Sequence, residues 1–350
     1  MNLNHTISFS LNTAIILISL LLLGCKKDGP PLQSSSVQLS SAANVLITNE
    51  GNFQFGNASI SLYDKSNDSL ALEIFQNINK VPLGDVCQSL FLDDQKIYAV
   101  INNSQRVHII NRNTFKIIDQ IEGLESPRYF LKVSESKAYV SDLYANKISI
   151  INLNENSVIG EISLSGWSEQ MHLLHGKVYI TNKNRPFLYI INPLNDNIED
   201  SLDICYGGNS LQEDAYERLW VLCSGKENTD LAALYCYNPS LDSIEKKLNF
   251  SSNANDPQRL KISPDRTQLY FIDNDMYRIS VNSNNLPSSP FISSNGRNLY
   301  GLGIDPENGD IYLSDAIDYV QKGMIYRYDA TAQEISQFRA GIIPNDFYFK

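Results

Sequence analysis

A short sequence pattern recurs along the chain and constrains its fold more than any other feature. Each copy has an apolar run with an aromatic residue, a polar gap, a second apolar run that ends in Asn or Asp, a turn and a third run, as in AYVSDLYANKISIINLNENSVIGEISLSG at 138–166. Short runs rich in Ile, Val and Tyr and bounded by turn residues are typical of β-strands. The aromatic residue recurs every 40 to 50 residues, at Tyr98, Tyr139, Tyr179, Trp220, Tyr270 and Tyr312.

The length of the repeat predicts the architecture. A second marker, the start of the next apolar run, occurs seven times, at Ile60, Val107, Ile148, Leu188, Leu234, Met276 and Ile325. About 40–45 residues with four short strands is the size of one propeller blade. A single such sheet cannot bury both of its faces and needs a neighbour on each side. We therefore predict an all-β, seven-bladed β-propeller over residues 44–350.

The two ends of the repeat array predict how the ring closes. The first copy begins at VLITNEG, residues 45–51, which matches the second strand of the other copies, so its innermost strand is missing. The C-terminal tail IIPNDFYFK resembles SPRYFLKV and DPQRLKIS, which are innermost strands elsewhere. FYFK, residues 347–350, is therefore predicted to complete the first blade. Such pairing removes the exposed sheet edges of an open ring.

The N-terminus predicts export and lipid anchoring. Ile7–Gly24 is apolar and uncharged and is followed at once by charge and proline, so residues 1–24 are predicted to be a signal peptide, with a transmembrane anchor as the alternative. LLGC at 22–25 resembles the lipobox of bacterial lipoproteins. This resemblance implies lipidation of Cys25, with residues 25–43 as a flexible tether, and Lys26 in place of Asp favours the outer membrane and the cell surface.

The net charge limits the classes of binding partner, and the cysteine spacing indicates the state of the thiols. The formal net charge is −11 and no cluster of Lys or Arg occurs, which argues against binding to nucleic acid and against adhesion to anionic lipids. Membrane attachment is therefore expected through the lipid anchor only. Four further cysteines occur at Cys87, Cys205, Cys223 and Cys236, in spacings that match no metal site. Buried free thiols are favoured, and disulfides are the alternative in an oxidising compartment.

The loops of the predicted propeller differ between its two faces. Loops that lead into each first strand and loops that join second to third strands share one face, here called the upper face. The lower face carries short polar turns such as LDDQK, NRNTF and NLNENS. Aromatic residues and arginine are enriched in recognition surfaces, although packing between blades is the alternative for several of them. The upper face collects Phe53, Phe55, Arg128, Tyr129, Tyr144, Trp167, Arg185, Phe187, Tyr206, Arg259, Arg297, Tyr300 and Tyr319.

A ligand site is predicted on the upper face. Trp167 is the first candidate, because its loop is flanked by Gly and Ser and an exposed Trp offers a flat apolar surface and one N–H donor. Phe115, in a lower-face turn, is expected to be uninvolved. No phosphate loop, HExxH or GxSxG motif occurs, so no catalytic residue, metal or cofactor is predicted. The predicted ligand-binding residues are Asn52, Phe53, Arg128, Tyr129, Trp167, Arg259 and Tyr300.

The strand sequences resemble those of a known family. AYVSD, VYITN and the third strands that end in Asn are similar to the YVTN, or YncE-like, seven-bladed propellers over about residues 44–350. NEGNFQFGNASIS at 49–61 resembles the start of surface propeller lipoproteins of Gram-negative bacteria, which include BtuG-type cobalamin-binding proteins. This resemblance implies capture of a corrinoid or another nutrient for a TonB-dependent transporter.

Other functions fit the same sequence. Aromatic, Asn and Arg side chains suit a glycan as well as a corrinoid. A lactonase-like hydrolase shares the architecture and places carboxylates and Asn around a metal in the central channel. A protein–protein interaction scaffold is the third alternative. The residues favour a binding protein over an enzyme.

Overall fold

The computed structural model describes residues 38–350. The predicted signal peptide and lipidated Cys25 lie outside the described residues. Within 38–350, no helix is both long enough and apolar enough to span a bilayer.

Seven antiparallel sheets, named blades 1 to 7, follow one another along the chain. Blade 1 contains β1 (Asn44–Asn49), β2 (Ser59–Asp64) and β3 (Ser69–Ala71), and blade 2 contains β4 (Cys87–Leu92), β5 (Lys96–Ile101), β6 (Arg106–Asn111) and β7 (Ile117–Ile121). Blade 3 contains β8 (Pro127–Lys132), β9 (Lys137–Asp142), β10 (Lys147–Asn152) and β11 (Ser157–Ser163), and blade 4 contains β12 (Ser168–Leu174), β13 (Lys177–Asn182), β14 (Phe187–Asn192) and β15 (Asn197–Asp203). Blade 5 contains β16 (Gly208–Glu213), β17 (Leu219–Cys223), β18 (Ala233–Asn238) and β19 (Ser243–Asn249), and blade 6 contains β20 (Gln258–Ile262), β21 (Gln268–Asp273) and β22 (Asp275–Ser280). Blade 7 contains β23 (Leu299–Ile304), β24 (Ile311–Asp315), β25 (Lys322–Tyr328) and β26 (Glu334–Ile342), and the last strand is β27 (Pro344–Phe349).

The last strand closes the ring as predicted. β27 pairs antiparallel with β1, with Phe349 opposite Val45 and Phe347 opposite Ile47. Blade 1 therefore has the strand order β27-β1-β2-β3, and its innermost strand comes from the C-terminus. The prediction of a seven-bladed propeller closed by FYFK is confirmed.

The repeating aromatic residues hold neighbouring blades together. All six are buried in the described structure. Tyr98 of blade 2 stacks on Phe130 of blade 3 with ring centroids 4.3 Å apart, and Tyr312 of blade 7 lies 5.6 Å from Phe347 of blade 1. Such ring pairs add to the burial of apolar area between sheets. The residues that repeat in the sequence are therefore those that pack between neighbouring blades of the propeller.

Blade 6 departs from the four-stranded pattern predicted for every copy. Its sheet has three strands, and the segment that follows makes only one isolated bridge, between Met276 and Ile292. Pro287 and Pro290 lie in this segment. Because proline has no backbone N–H, it cannot donate to a sheet ladder, and a regular fourth strand is not formed. Blade 1 also carries one short helix that the repeat did not predict, α1 (Ile74–Asn79).

The core contains the four cysteines and Phe115, for which the sequence made predictions. The four cysteines Cys87, Cys205, Cys223 and Cys236 are buried free thiols. Phe115, which was expected to take no part in ligand binding, is 0% exposed and packs in the cluster between blades 1 and 2, so its substitution would perturb the core. Its backbone φ is 57°.

Candidate functional site

Every innermost strand has an irregular register near its upper end. In β8, for example, Pro127 pairs with Asp142 and Phe130 with Val140, so two residues oppose one. Bulges of this kind redirect side chains and often lie beside functional sites. One polar side chain per blade occupies the bulge, and together they form what we call the polar ring: Gln88, Arg128, Glu169, Asn209, Arg259, Tyr300 and Asn345.

Hydroxyl side chains of the second strands stabilise these bulges. The backbone N–H of Tyr129 donates to Ser141 Oγ at 3.1 Å, and that of Gly301 donates to Ser314 Oγ at 2.7 Å. The bulged backbone amides are thereby satisfied without a regular ladder. Arg259 has a φ of 63°, a left-handed conformation that is uncommon outside glycine and is found at sites where the surroundings fix the backbone. The backbone conformation at these bulges therefore fixes the positions of the polar-ring side chains.

A cavity of about 420 Å³ lies above the polar ring on the upper face. Small-molecule sites usually measure roughly 300–1,000 Å³. Six of the seven predicted residues line this cavity, namely Phe53, Arg128, Tyr129, Trp167, Arg259 and Tyr300. Asn52 is not among the lining residues, and its Nδ2 donates instead to the carbonyl of Tyr319 at 2.6 Å. Six of the seven predicted residues therefore converge on one space, and their role in ligand binding stays a prediction.

Arg128 is fixed in the cavity wall by an ion pair. Its Nε and Nη2 donate to the two carboxylate oxygens of Glu169, at 2.9 and 2.7 Å, and its Nη1 donates to Gln88. Burial would lower the pKa of the Arg128 guanidinium, but the attraction of the Glu169 carboxylate raises this pKa above its ordinary value. A bidentate pair of this kind also fixes the orientation of both groups.

Arg259 lies in the same wall but has a different set of partners. Its Nε donates to the carbonyl of Tyr300 at 3.1 Å and its Nη2 donates to Asn345 Oδ1, while its guanidinium lies 5.1 Å from the centre of the Tyr300 ring. Burial acts to lower the pKa of Arg259, and the nearby tyrosines and the acidic groups Asp346 and Glu50 raise it overall. Within 38–350, no carboxylate forms an ion pair with this guanidinium.

Glu50 places a carboxyl group at the edge of the cavity. The hydroxyl of Tyr300 donates to its two oxygens at 3.0 and 3.1 Å. Burial raises the pKa of Glu50, and the charges of Arg259 and Arg128 offset only part of this increase. The protonated form of Glu50 is therefore favoured more than in water. Burial and the nearby Glu50 also raise the pKa of Tyr300, which keeps its hydroxyl a donor.

Trp167 presents its ring between two cations. The Arg128 guanidinium lies 5.1 Å and the Lys183 Nζ 4.7 Å from its ring centre. Both arrangements are attractive cation–π contacts. The indole N–H is buried without a hydrogen-bond partner in the described structure, so the part of Trp167 open to the cavity is its ring and not the N–H donor that the sequence suggested.

Several cavity residues were missed by reading the sequence. They share no motif, but each member of the polar ring follows directly on the first residue of its innermost strand, as in CQS, PRY, SEQ, GNS, LYG and PND. Aligning the repeats and reading this column would have found Gln88, Glu169, Asn209 and Asn345. In the part of the chain that the structure describes, no group of three or more His, Cys, Asp or Glu side chains is arranged to hold a metal ion. The missed residues include Glu50, Gln88, Glu169, Gln170, Lys183 and Asn209, which line the cavity, and Asn345, which belongs to the polar ring.

Solved structures with the same fold come from proteins of different descriptions. A quinoprotein alcohol dehydrogenase-like protein of Bacteroides thetaiotaomicron matches with a TM-score of 0.70 and 11% identity, over 90% of this chain and 79% of its own. A candidate 6-phosphogluconolactonase of Bacteroides fragilis matches with a TM-score of 0.64 and 10% identity, over 92% and 100%. Virginiamycin B lyase of Staphylococcus aureus matches with a TM-score of 0.59 and 16% identity, over 75% and 87%. Likeness at these identities shows the propeller fold alone.

Sequence comparison gives a family rather than an activity. No curated protein sequence matches the chain. The family model described as a domain of unknown function, DUF5074, matches residues 44–349, which run from the first residue of β1 to the last residue of β27. The chain therefore belongs to the DUF5074 family.

Proposed function

We propose that this propeller is a ligand-capture protein and that the upper-face cavity is its binding site. The observation that supports this most strongly is the convergence of aromatic rings and cations on one cavity. Phe53, Tyr129, Tyr144, Trp167 and Tyr300 line it together with Arg128, Lys183 and Arg259. Apolar rings with a few placed polar groups are the usual composition of small-molecule sites.

A corrinoid is the first ligand class to test. The resemblance to surface propeller lipoproteins suggests it, and the chemistry of the cavity supports it. A corrin is broad, flat and partly apolar, with amide groups at its edge. The exposed rings of Phe53 and Tyr144 offer apolar surface at the rim, and Arg259 offers hydrogen-bond donors in the cavity wall. A glycan uses the same two kinds of contact and is the second class.

The proposal includes lipid anchoring at Cys25 in the outer membrane and delivery to a TonB-dependent transporter. The path of the chain is compatible with this arrangement. Lys350 donates to the carbonyl of Leu39 and, at 2.7 Å, to that of Arg112 in a lower-face turn. The chain thus joins the propeller on the face opposite the cavity.

Tryptophan fluorescence tests the site directly. The chain has only two Trp residues, and Trp220 is fully buried with its Nε1 bonded to Asp214 at 2.8 Å. A ligand-dependent change therefore reports on Trp167. Calorimetric titration with corrinoids, glycans and a lactone gives affinity, and turnover of the lactone would indicate the hydrolase alternative.

Substitution then separates binding from packing. We expect Trp167→Ala to weaken binding by about 2 kcal/mol or more, roughly 30-fold, if the ring is a hot spot. Its melting temperature should stay close to that of the wild type. The matched control is Leu194→Ala in a lower-face turn, where the side chain is 92% exposed, because the buried Phe115 is unsuitable. A wild-type protein that binds no member of the panel contradicts the proposal.

A further inference from the structure

The charges around the cavity do not cancel. Three cations line it, Arg128, Lys183 and Arg259, and two carboxyl groups, Glu50 and Glu169. Glu169 is fully engaged by Arg128 through two hydrogen bonds. The carboxyl of Glu50 receives the Tyr300 hydroxyl at both of its oxygens, at 3.0 and 3.1 Å. Within 38–350, neither Lys183 nor Arg259 forms an ion pair with a carboxylate.

The donors of these two residues are also incompletely used. Arg259 uses one Nε and one Nη2 hydrogen, and its Nη1 meets no acceptor among residues 38–350. Lys183 lies over the Trp167 ring and its Nζ has no hydrogen-bond acceptor in the described structure. A guanidinium has five donors arranged to bind planar or tetrahedral oxyanions, and an ammonium has three. Unused donors thus remain at both cations.

An unpaired cation in a partly desolvated wall is unfavourable unless a partner arrives. Removing a charge from water carries a large desolvation cost, and paired charges recover this cost only through close, hydrogen-bonded contact. The whole protein has a net charge of −11, so the long-range field does not attract anions. A local cationic site within an acidic protein therefore selects for a specific ligand group and not for general adhesion.

We propose that the captured ligand carries an oxyanion, a phosphate or a carboxylate, and that Arg259 and Lys183 bind it. The inference rests on the proposed function, because it assigns a ligand group to the same cavity. Arg259 donates through Nη1, and Lys183 approaches from the side of Trp167. The aromatic rim then holds the remainder of the ligand.

Inorganic phosphate is the direct probe. The mature protein is titrated with phosphate at constant ionic strength, and heat and Trp167 fluorescence are recorded. We expect saturable binding that weakens about tenfold or more in Arg259→Gln and in Lys183→Gln, since hydrogen bonds to charged groups are the strongest in such sites. Lys116→Gln, which removes the same charge from an exposed lower-face residue, should bind as the wild type does. Lys183→Gln should melt like the wild type, and Arg259→Gln should stay folded with only the loss expected from its two hydrogen bonds to neutral acceptors.

A second comparison separates this inference from the proposed function. A monosaccharide and its phosphate ester, and corrinoids with and without their phosphate group, are titrated in parallel. Preference for the phosphorylated member, lost in Arg259→Gln, supports the oxyanion site. Equal affinity for both members, with no response to phosphate, overturns it while ligand capture stands. Phosphate binding without any response to corrinoid or glycan supports the oxyanion site and contradicts those ligand classes. No response to any compound overturns both.

Discussion

The pair formed by Arg128 and Glu169 gives the sharpest test of how the cavity wall is stabilised. Glu169 is 4% exposed and receives hydrogen bonds of 2.9 and 2.7 Å from the one guanidinium. Arg128→Met keeps much of the side-chain volume but leaves this carboxylate buried without a cation. Breaking a buried pair in this way destabilises proteins by about 3–5 kcal/mol. We expect a loss of that size in the free energy of unfolding.

A double-mutant cycle tests whether the loss comes from the unpaired charge. Glu169→Leu alone leaves Arg128 without its carboxylate, and the double variant removes both charges. Because neither charge is then stranded, the double variant should be destabilised less than the sum of the single variants, with a coupling energy of about 2 kcal/mol or more. Urea unfolding followed by circular dichroism at pH 7 provides the three differences.

Arg259→Met is the matched comparison. Its partners are an amide oxygen and a backbone carbonyl, so the substitution strands no charge. The expected loss is smaller than that of Arg128→Met, since two neutral acceptors rather than a buried carboxylate lose their donor, and removal of an unpaired cation offsets part of the lost hydrogen bonding. Equal losses for Arg128→Met and Arg259→Met, together with additive energies in the cycle, would refute the assignment of one paired and one unpaired arginine.

Three further predictions concern the anchor, the ring closure and the pH dependence. Cys25→Ala should release the protein from membranes or stall its processing, and unchanged membrane fractionation with the leader still cleaved would contradict lipidation at that residue. Deletion of residues 343–350 removes the innermost strand of blade 1 with the buried Ile343 and Phe347, each worth about 1.5–3 kcal/mol, against a total stability of about 5–15 kcal/mol. The truncated protein should aggregate or melt far below the full chain, which calorimetry measures. Because the folded protein raises the pKa of Glu50 above its ordinary value of 4.5, the folded state binds more protons than the unfolded state between these two values, and the free energy of unfolding contributed by this group falls as pH rises through that window. Glu50→Gln should remove this decline, and urea midpoints of both proteins at a series of pH values test it.

The architecture was predictable because burial imposes a period on the sequence. The position of Tyr139 is aromatic and buried in six of the seven copies, because neighbouring blades touch there. The closing strand β27 was predictable for a related reason. The first copy lacks an innermost strand and has to receive one from another part of the chain. The missing fourth strand of blade 6 was not predicted. The fourth strand is missing because Pro287 and Pro290 lie in that segment. The repeat period alone does not indicate which copy lacks a strand.

The candidate site was only partly predictable, because it depends on backbone irregularity. Upper-face loops identified Trp167 and Phe53, which are conspicuous by residue type. Gln88 and Glu169 are not conspicuous, and regular alternation along a strand gives no reason to place them at the channel. The bulge redirects them, and a bulge is a property of two paired strands that one strand's sequence does not reveal.

Contacts within the polar ring nevertheless follow the repeat. Arg128 bonds to Glu169, which lies 41 residues later, and to Gln88, which lies 40 residues earlier. These separations equal one period, because equivalent positions of adjacent blades are neighbours in space. Opposite charges spaced by one period are thus a sequence-level indication of a pair at the channel.

Arg259 is an exception to this spacing of one period between partners. It bonds to Asn345, 86 residues later, and so reaches past blade 7 to blade 1. Blade 7 has glycine beside its ring residue, and a Cβ at Gly301 would lie 2.4 Å from the carbonyl of Asn345. Because Gly301 has no side chain, Asn345 of blade 1 comes close enough to bond to Arg259. Arg259 therefore has an amide as its partner and not a carboxylate one period away. Gly301→Ala should therefore displace Asn345, release Arg259 from its amide partner and weaken phosphate binding. Unchanged phosphate affinity in a folded Gly301→Ala protein would show that Arg259 needs no such support.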